Sequence, residues 1–152
     1  AARLAAERGA DEALLERMRE IVGTLDKVIE AGAAKMDFEA YAELNSEFHD
    51  CLAGLAGSNT IRREVERATN LPFASPSAFL DVQSDILEFR TSLIGAQGQH
   101  RDMLDAIERR EGARAEFIAR EHARLARKNI EYVMNHDRNL IKKLPGLSLV
   151  AG

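Results

Sequence analysis

Between Leu14 and Ile29 the apolar residues Leu14, Leu15, Met18, Ile21, Val22, Leu25, Val28 and Ile29 keep the spacing of a helix rather than a strand. At about 100° per residue they fall on one stripe, which must be covered by another element to escape water. The same period returns in the other long segments, so the covering elements are helices as well. Ala, Leu, Glu and Arg are plentiful, β-branched runs are missing and only three prolines occur, a composition that favours helix throughout. The expected fold class is all-α, an antiparallel bundle of six or seven helices.

Capping residues place the boundaries. A short helix reaches Arg8 and stops at Gly9, and Asp11 then caps EALLERMREIVGTLDKVIEA, which ends near Gly32. Asp37 caps a helix from Phe38 to Ala56, closed by Gly57, and Ser58 caps TIRREVERATNL ahead of Pro72. The segment LPFASPSAF holds two prolines and two serines and reads as a loop inside the domain. Helical pattern resumes through FLDVQSDILEFRTSLI, is broken or kinked around Gly95 and Gly98, and continues as QHRDMLDAIERRE. The last helix, ARAEFIAREHARLARKNIEYVMNHDRNLIKKL, ends at Pro145 and Gly146.

A chain of 152 residues is read as one domain with a real core. Its longest apolar runs fall far short of a bilayer span, so no membrane partner is expected. The net charge of −4 argues against this piece alone gripping a nucleic-acid backbone, which needs a basic face. Cys51 is the single cysteine and no signal peptide opens the chain, which suits a reducing cytoplasm. The opening AARLAAERG has helical composition with no initiating Met and no cap before it; Ala1 is therefore expected to be an internal position of a longer protein.

Several polar residues point where a core should be. In ELNSEFHDCLAGLAG the stripe is Tyr41, Leu44, Phe48, Leu52 and Leu55, and Asn45 and His49 project within or beside it. His100 falls among Leu93, Ala96, Met103, Leu104 and Ile107, and His122 among Ala115, Ile118, Ala119, Ala126 and Val133. His136, in NHDRN, lies among polar residues and reads as surface. Three of the four histidines, from three helices, thus aim inward together with an amide at the i, i+4 position from one of them. Imidazole is the commonest metal ligand, and helical spacing lets Asn45 and His49 chelate from one face. A metal or polar-ligand pocket and a set of internally satisfied core histidines both fit this pattern.

The run NSEFHDCLAGLAGSN, followed by QHRDMLDAIERREGARAEFIAREH, resembles the effector-binding C-terminal domain of GntR-family transcription regulators, the FadR C-terminal or FCD type. That pattern has Asp or Asn, then Phe-His, an Ala-Gly-Asn turn, a later His before an Ala-Ile pair, and a final Arg-x-His; the likeness extends over essentially the whole chain. It implies a central polar cavity in which Asn45, His49, His100 and His122 hold a divalent metal, zinc or nickel among those such donors suit. A small carboxylic acid effector would bind beside it. It also implies a homodimer, and DNA contact only through a winged helix-turn-helix domain that this chain lacks. Asn45 stands where Asp is often found, which removes one negative charge and weakens the pull on a dication. The turn is AGSN rather than AGN, and REGA replaces an Asp-containing turn; both are connections.

Tyr41, one turn before Asn45, and Gln97, one turn before His100, are expected to face the effector, and Arg90 is a further candidate as a two-point carboxylate clamp. Enzymatic alternatives fare less well. No histidine has Glu three residues before it, as di-metal helical bundles require. The pairs His49-Asp50 and His136-Asp137 suggest an HD-type metal hydrolase, yet helical neighbours point about 100° apart. Cys51 and Ser46 lie off the His49 face, and no glycine-rich phosphate loop is present. A ligand-free structural dimerisation bundle is the remaining alternative, and the expectation is a non-enzyme.

Overall fold

The computed structural model describes residues 1–70 and 87–136. Within them the chain forms six helices and no strand: α1 (Ala2–Arg8), α2 (Glu12–Glu30), α3 (Phe38–Leu55), α4 (Asn59–Thr69), α5 (Leu87–Glu108) and α6 (Gly112–His136). None of the described helices is long and apolar enough to cross a membrane. The predicted LPFASPSAF loop, the helical pattern of residues 79–86 and the predicted helix end at Pro145 lie outside the described residues.

The caps are where local chemistry puts them. Asp11 Oδ1 accepts from the Leu14 N–H at 3.1 Å and Asp37 Oδ1 from the Ala40 N–H at 3.0 Å. Ser58 Oγ accepts from the Ile61 N–H at 3.4 Å. Each bond satisfies one of the amides that a helix start leaves without a partner. Gly9 ends α1 at φ 91°, and a Cβ there would stand 2.5 Å from Arg110 Nη1. Arg110 in turn donates from Nη2 to the Glu7 carbonyl at 3.1 Å, closing the end of α1. Gly9→Ala combines a backbone conformation that side chains disfavour with this close approach. It is expected to cost about 2 kcal/mol, read as a lower denaturant midpoint at unchanged slope; an unchanged midpoint would mean that the turn relaxes freely.

Side-chain pairs fix how the helices run. Arg17 bonds Glu47, and Gly54 faces Leu14, so α2 and α3 are antiparallel. Arg19 bonds Glu108, Gln97 reaches the Val22 carbonyl and Arg101 bonds Asp26, so α5 descends as α2 climbs. The short connection after Glu108 turns α6 back along α5, and α1 lies across the start of α6 through Arg3 and Glu116. The stripe of α2 is the buried one: Leu15, Met18, Ile21, Val22, Leu25 and Ile29 are in the core, with Leu14 and Val28 packed at its margin. Met18, Leu25, Phe48, Leu55, Met103 and Ile107 form its centre. By contrast α4 packs on α3 and buries no residue fully.

One expectation is corrected. α5 is one unbroken helix through Gly95 and Gly98, not two. Glycine lowers helix propensity by roughly 1 kcal/mol, but the inward face here is held by Leu93, Ala96, Gln97 and His100, all buried. Packing of that face outweighs the local preference.

Candidate metal centre

α3 carries Tyr41, Asn45 and His49 at successive turns of one face, Tyr41 and Asn45 buried and His49 half-buried. α5 supplies Gln97 and His100, both with 0% exposure. α6 supplies His122, half-buried. The antiparallel pairing of α5 and α6 sets His100 beside His122, and the packing of α3 on the bundle adds His49. Ring centroids are 4.5 Å apart for His100 and His122, 5.2 Å for His49 and His122, and 5.6 Å for His49 and His100. One ring nitrogen from each lies within 4.8 Å of the other two. Phe48 forms a wall, its ring 4.1 Å from that of His100 at 33° and meeting His49 edge-on at 5.5 Å.

Hydrogen bonds decide which nitrogens are free to ligate. Gln97 Nε2 donates to the Val22 carbonyl at 3.0 Å and to Asp26 Oδ1 at 2.6 Å, neither of which can donate back. Its Oε1 therefore faces His100 Nδ1, 3.0 Å away, and accepts that proton. Gln99 Oε1 makes the same contact with His122 Nδ1 at 3.1 Å. With the His100 proton held on Nδ1, its Nε2 turns a lone pair toward His122 Nε2, 3.2 Å away. Among the described residues His49 Nε2 is buried with no hydrogen-bond partner, as is the Tyr41 hydroxyl.

Burial keeps the imidazoles neutral. It pushes the His49 pKa down to about 3, with the charge of His122 adding to the effect, and that of His122 down to about 4. His100 is driven well below the usual histidine value by burial, then by His122 and His49. Burial also raises the Tyr41 hydroxyl above its ordinary range, so it remains a protonated donor. Neutral imidazoles are the ligating form. Three ring nitrogens within 4.8 Å of one another, one of them an orphaned buried atom among the described residues, can be satisfied by a cation, and this donor set fits a divalent metal.

The other predicted residues fall as follows. Gln97 is bonded through both ends of its amide to protein groups. Arg90 Nη1 donates to the carbonyls of Ala33 and Met36, each at 3.2 Å, and its guanidinium lies 5.6 Å over the Phe38 ring, so it ties α5 to the turn between α2 and α3. Asp50 and Ser46 are exposed, away from the imidazoles. The side chain of His136 lies outside the described residues. Sequence reasoning missed Gln99 and Asp26 as partners and Phe48 as the wall. Gln99 had a local signal beside Gly98 and His100; Asp26 had none, since its partner is 71 residues away.

These features define an all-helical domain with an internal cluster of three imidazoles. The chain belongs to the FCD domain family, whose model matches residues 1–125 and so includes Asn45, His49, His100 and His122. FCD domains are ligand-sensing effector domains of GntR-type regulators. No curated protein sequence matches the chain.

Proposed function

We propose that this domain senses a small carboxylic acid for a GntR-type transcription regulator, through a divalent ion held by His49, His100, His122 and Asn45. The observation that carries this reading is the meeting of the His100 and His122 Nε2 atoms at 3.2 Å, next to a His49 Nε2 that has no partner among the described residues. Zinc and nickel both suit three imidazoles and an amide. When bound, such an ion supplies a Lewis-acidic point for a carboxylate oxygen.

The chain's own residues do the rest. Tyr41, one turn from Asn45, offers a buried hydroxyl proton with no acceptor among the described residues, which suits an oxygen-rich acid. Gln97 is engaged with the protein and orients His100, and Arg90 fixes the α2–α3 turn; neither needs an effector to be satisfied. Phe48 keeps one side of the cluster apolar. The effector acts on DNA binding through a difference in affinity between two arrangements of a homodimer. DNA is reached through a winged helix-turn-helix domain outside this chain, with α1 and α2 as the relay. A cytoplasmic setting follows from that role.

Elemental analysis of the untagged protein, with thermal melts before and after chelation, tests this reading. The expected result is about one zinc or nickel per chain, a lower melting temperature after chelation, and further stabilisation by a subset of small carboxylic acids. A metal-free chain that no dication stabilises would overturn it.

A further inference from the structure

We propose that Gln97 and Asp26 form a positioning relay that holds the proton of His100 on Nδ1, presenting Nε2 to the metal, and that anchors the site to α2. This rests on the metal reading above. A neutral imidazole has two tautomers, and the one with a free Nε2 must be selected by a partner at Nδ1.

The amide of Gln97 has one consistent orientation. Reversing it would set its oxygen against the Val22 carbonyl and the Asp26 carboxylate, and set its NH₂ against His100 Nδ1. Two hydrogen bonds, at 3.0 and 2.6 Å, would become oxygen–oxygen contacts inside the bundle. With no water exposure at Gln97 or His100, neither group has a solvent alternative.

Asp26 is itself held. Its Oδ1 accepts from Arg101 Nε at 2.8 Å and pairs with Arg101 Nη2 at 2.8 Å, so the carboxylate that orients Gln97 has a counter-charge one turn past Gln97 on the same helix. The sequence of contacts runs Arg101, Asp26, Gln97, His100, from the surface of α2 and α5 to the imidazole cluster. Gln97 thereby has a task distinct from touching an effector: it is a positioning residue for a metal ligand.

Two measurements on the intact chain test this. Nitrogen-15 spectra of the metal-free protein at neutral pH report the tautomer directly, and His100 is expected with its proton on Nδ1. Zinc affinity, read by competition with a chelating dye, is expected to fall about 10–100-fold in Gln97→Met, which keeps the packing and removes the acceptor. Asp26→Leu removes the acceptor that orients the Gln97 amide and is expected to lower the affinity in the same direction, by about tenfold. A His100 proton on Nε2 in the parent overturns the proposal even if Gln97→Met fails to fold. Unchanged affinity in Gln97→Met, in a chain that does bind zinc, removes the relay alone. A parent that binds neither zinc nor nickel removes the metal reading, and this role with it.

Discussion

Replacing His49 with leucine is expected to leave the metal-free protein at least as stable as the parent while abolishing its stabilisation by zinc. The two effects have opposite origins. His49 Nε2 is buried without a partner among the described residues, and an unsatisfied buried polar atom costs about 1–3 kcal/mol. Burial and the neighbouring His122 push its pKa down to about 3, so no charge is lost on substitution near neutral pH. Leucine fills similar space without the polar nitrogen. With zinc at a thousandfold excess over its dissociation constant, the parent should gain about 4 kcal/mol. The variant, left with two imidazoles, should gain none of it. Melting curves with zinc and with chelator read both quantities. A metal-free loss of more than about 2 kcal/mol, with the zinc response intact, would make His49 a structural core residue instead.

The helices were legible because their signals are local. Asp11, Asp37 and Ser58 cap within three residues of themselves, and the α2 stripe needs only a period to be seen. Gly95 and Gly98 were misread for the same reason: propensity is local, whereas the packing of Leu93, Ala96, Gln97 and His100 that carries α5 through them is tertiary. The site was legible to the same depth. Periodicity placed His49, His100 and His122 on inward faces. That they meet depends on the register of α5 against α6 and on the packing of α3, which no pattern in one chain specifies. Gln97 marks the boundary: its inward direction could be read, but its partners Val22 and Asp26 sit on another helix.

A polar cluster inside a helical bundle needs its neighbours to restrict it, and this gives the relay and the aromatic wall complementary tasks. Gln97 Oε1, as acceptor, selects the proton position on His100, and Gln99 Oε1 lies 3.1 Å from His122 Nδ1. They act at Nδ1 and leave the ring planes free to tilt. Phe48, packed against the face of His100, limits that tilt.

Phe48→Ala is accordingly expected to carry the largest stability loss of any single substitution at the site. Phe48 has 0% exposure at the centre of α3, and truncating such a ring costs about 3–5 kcal/mol through lost transfer energy and the cavity left behind. Set against a total of about 5–15 kcal/mol for a domain, the melting temperature should fall by about 10 °C or more. Phe48→Leu, which keeps most of the volume, should cost less than half as much. Zinc separates packing from positioning. If the zinc-induced rise in stability is the same in Phe48→Ala as in the parent, the ring does no more than fill space. The expected result is a smaller rise, because His100 loses the wall 4.1 Å from its ring and the ordering of that imidazole must then be supplied by metal binding itself.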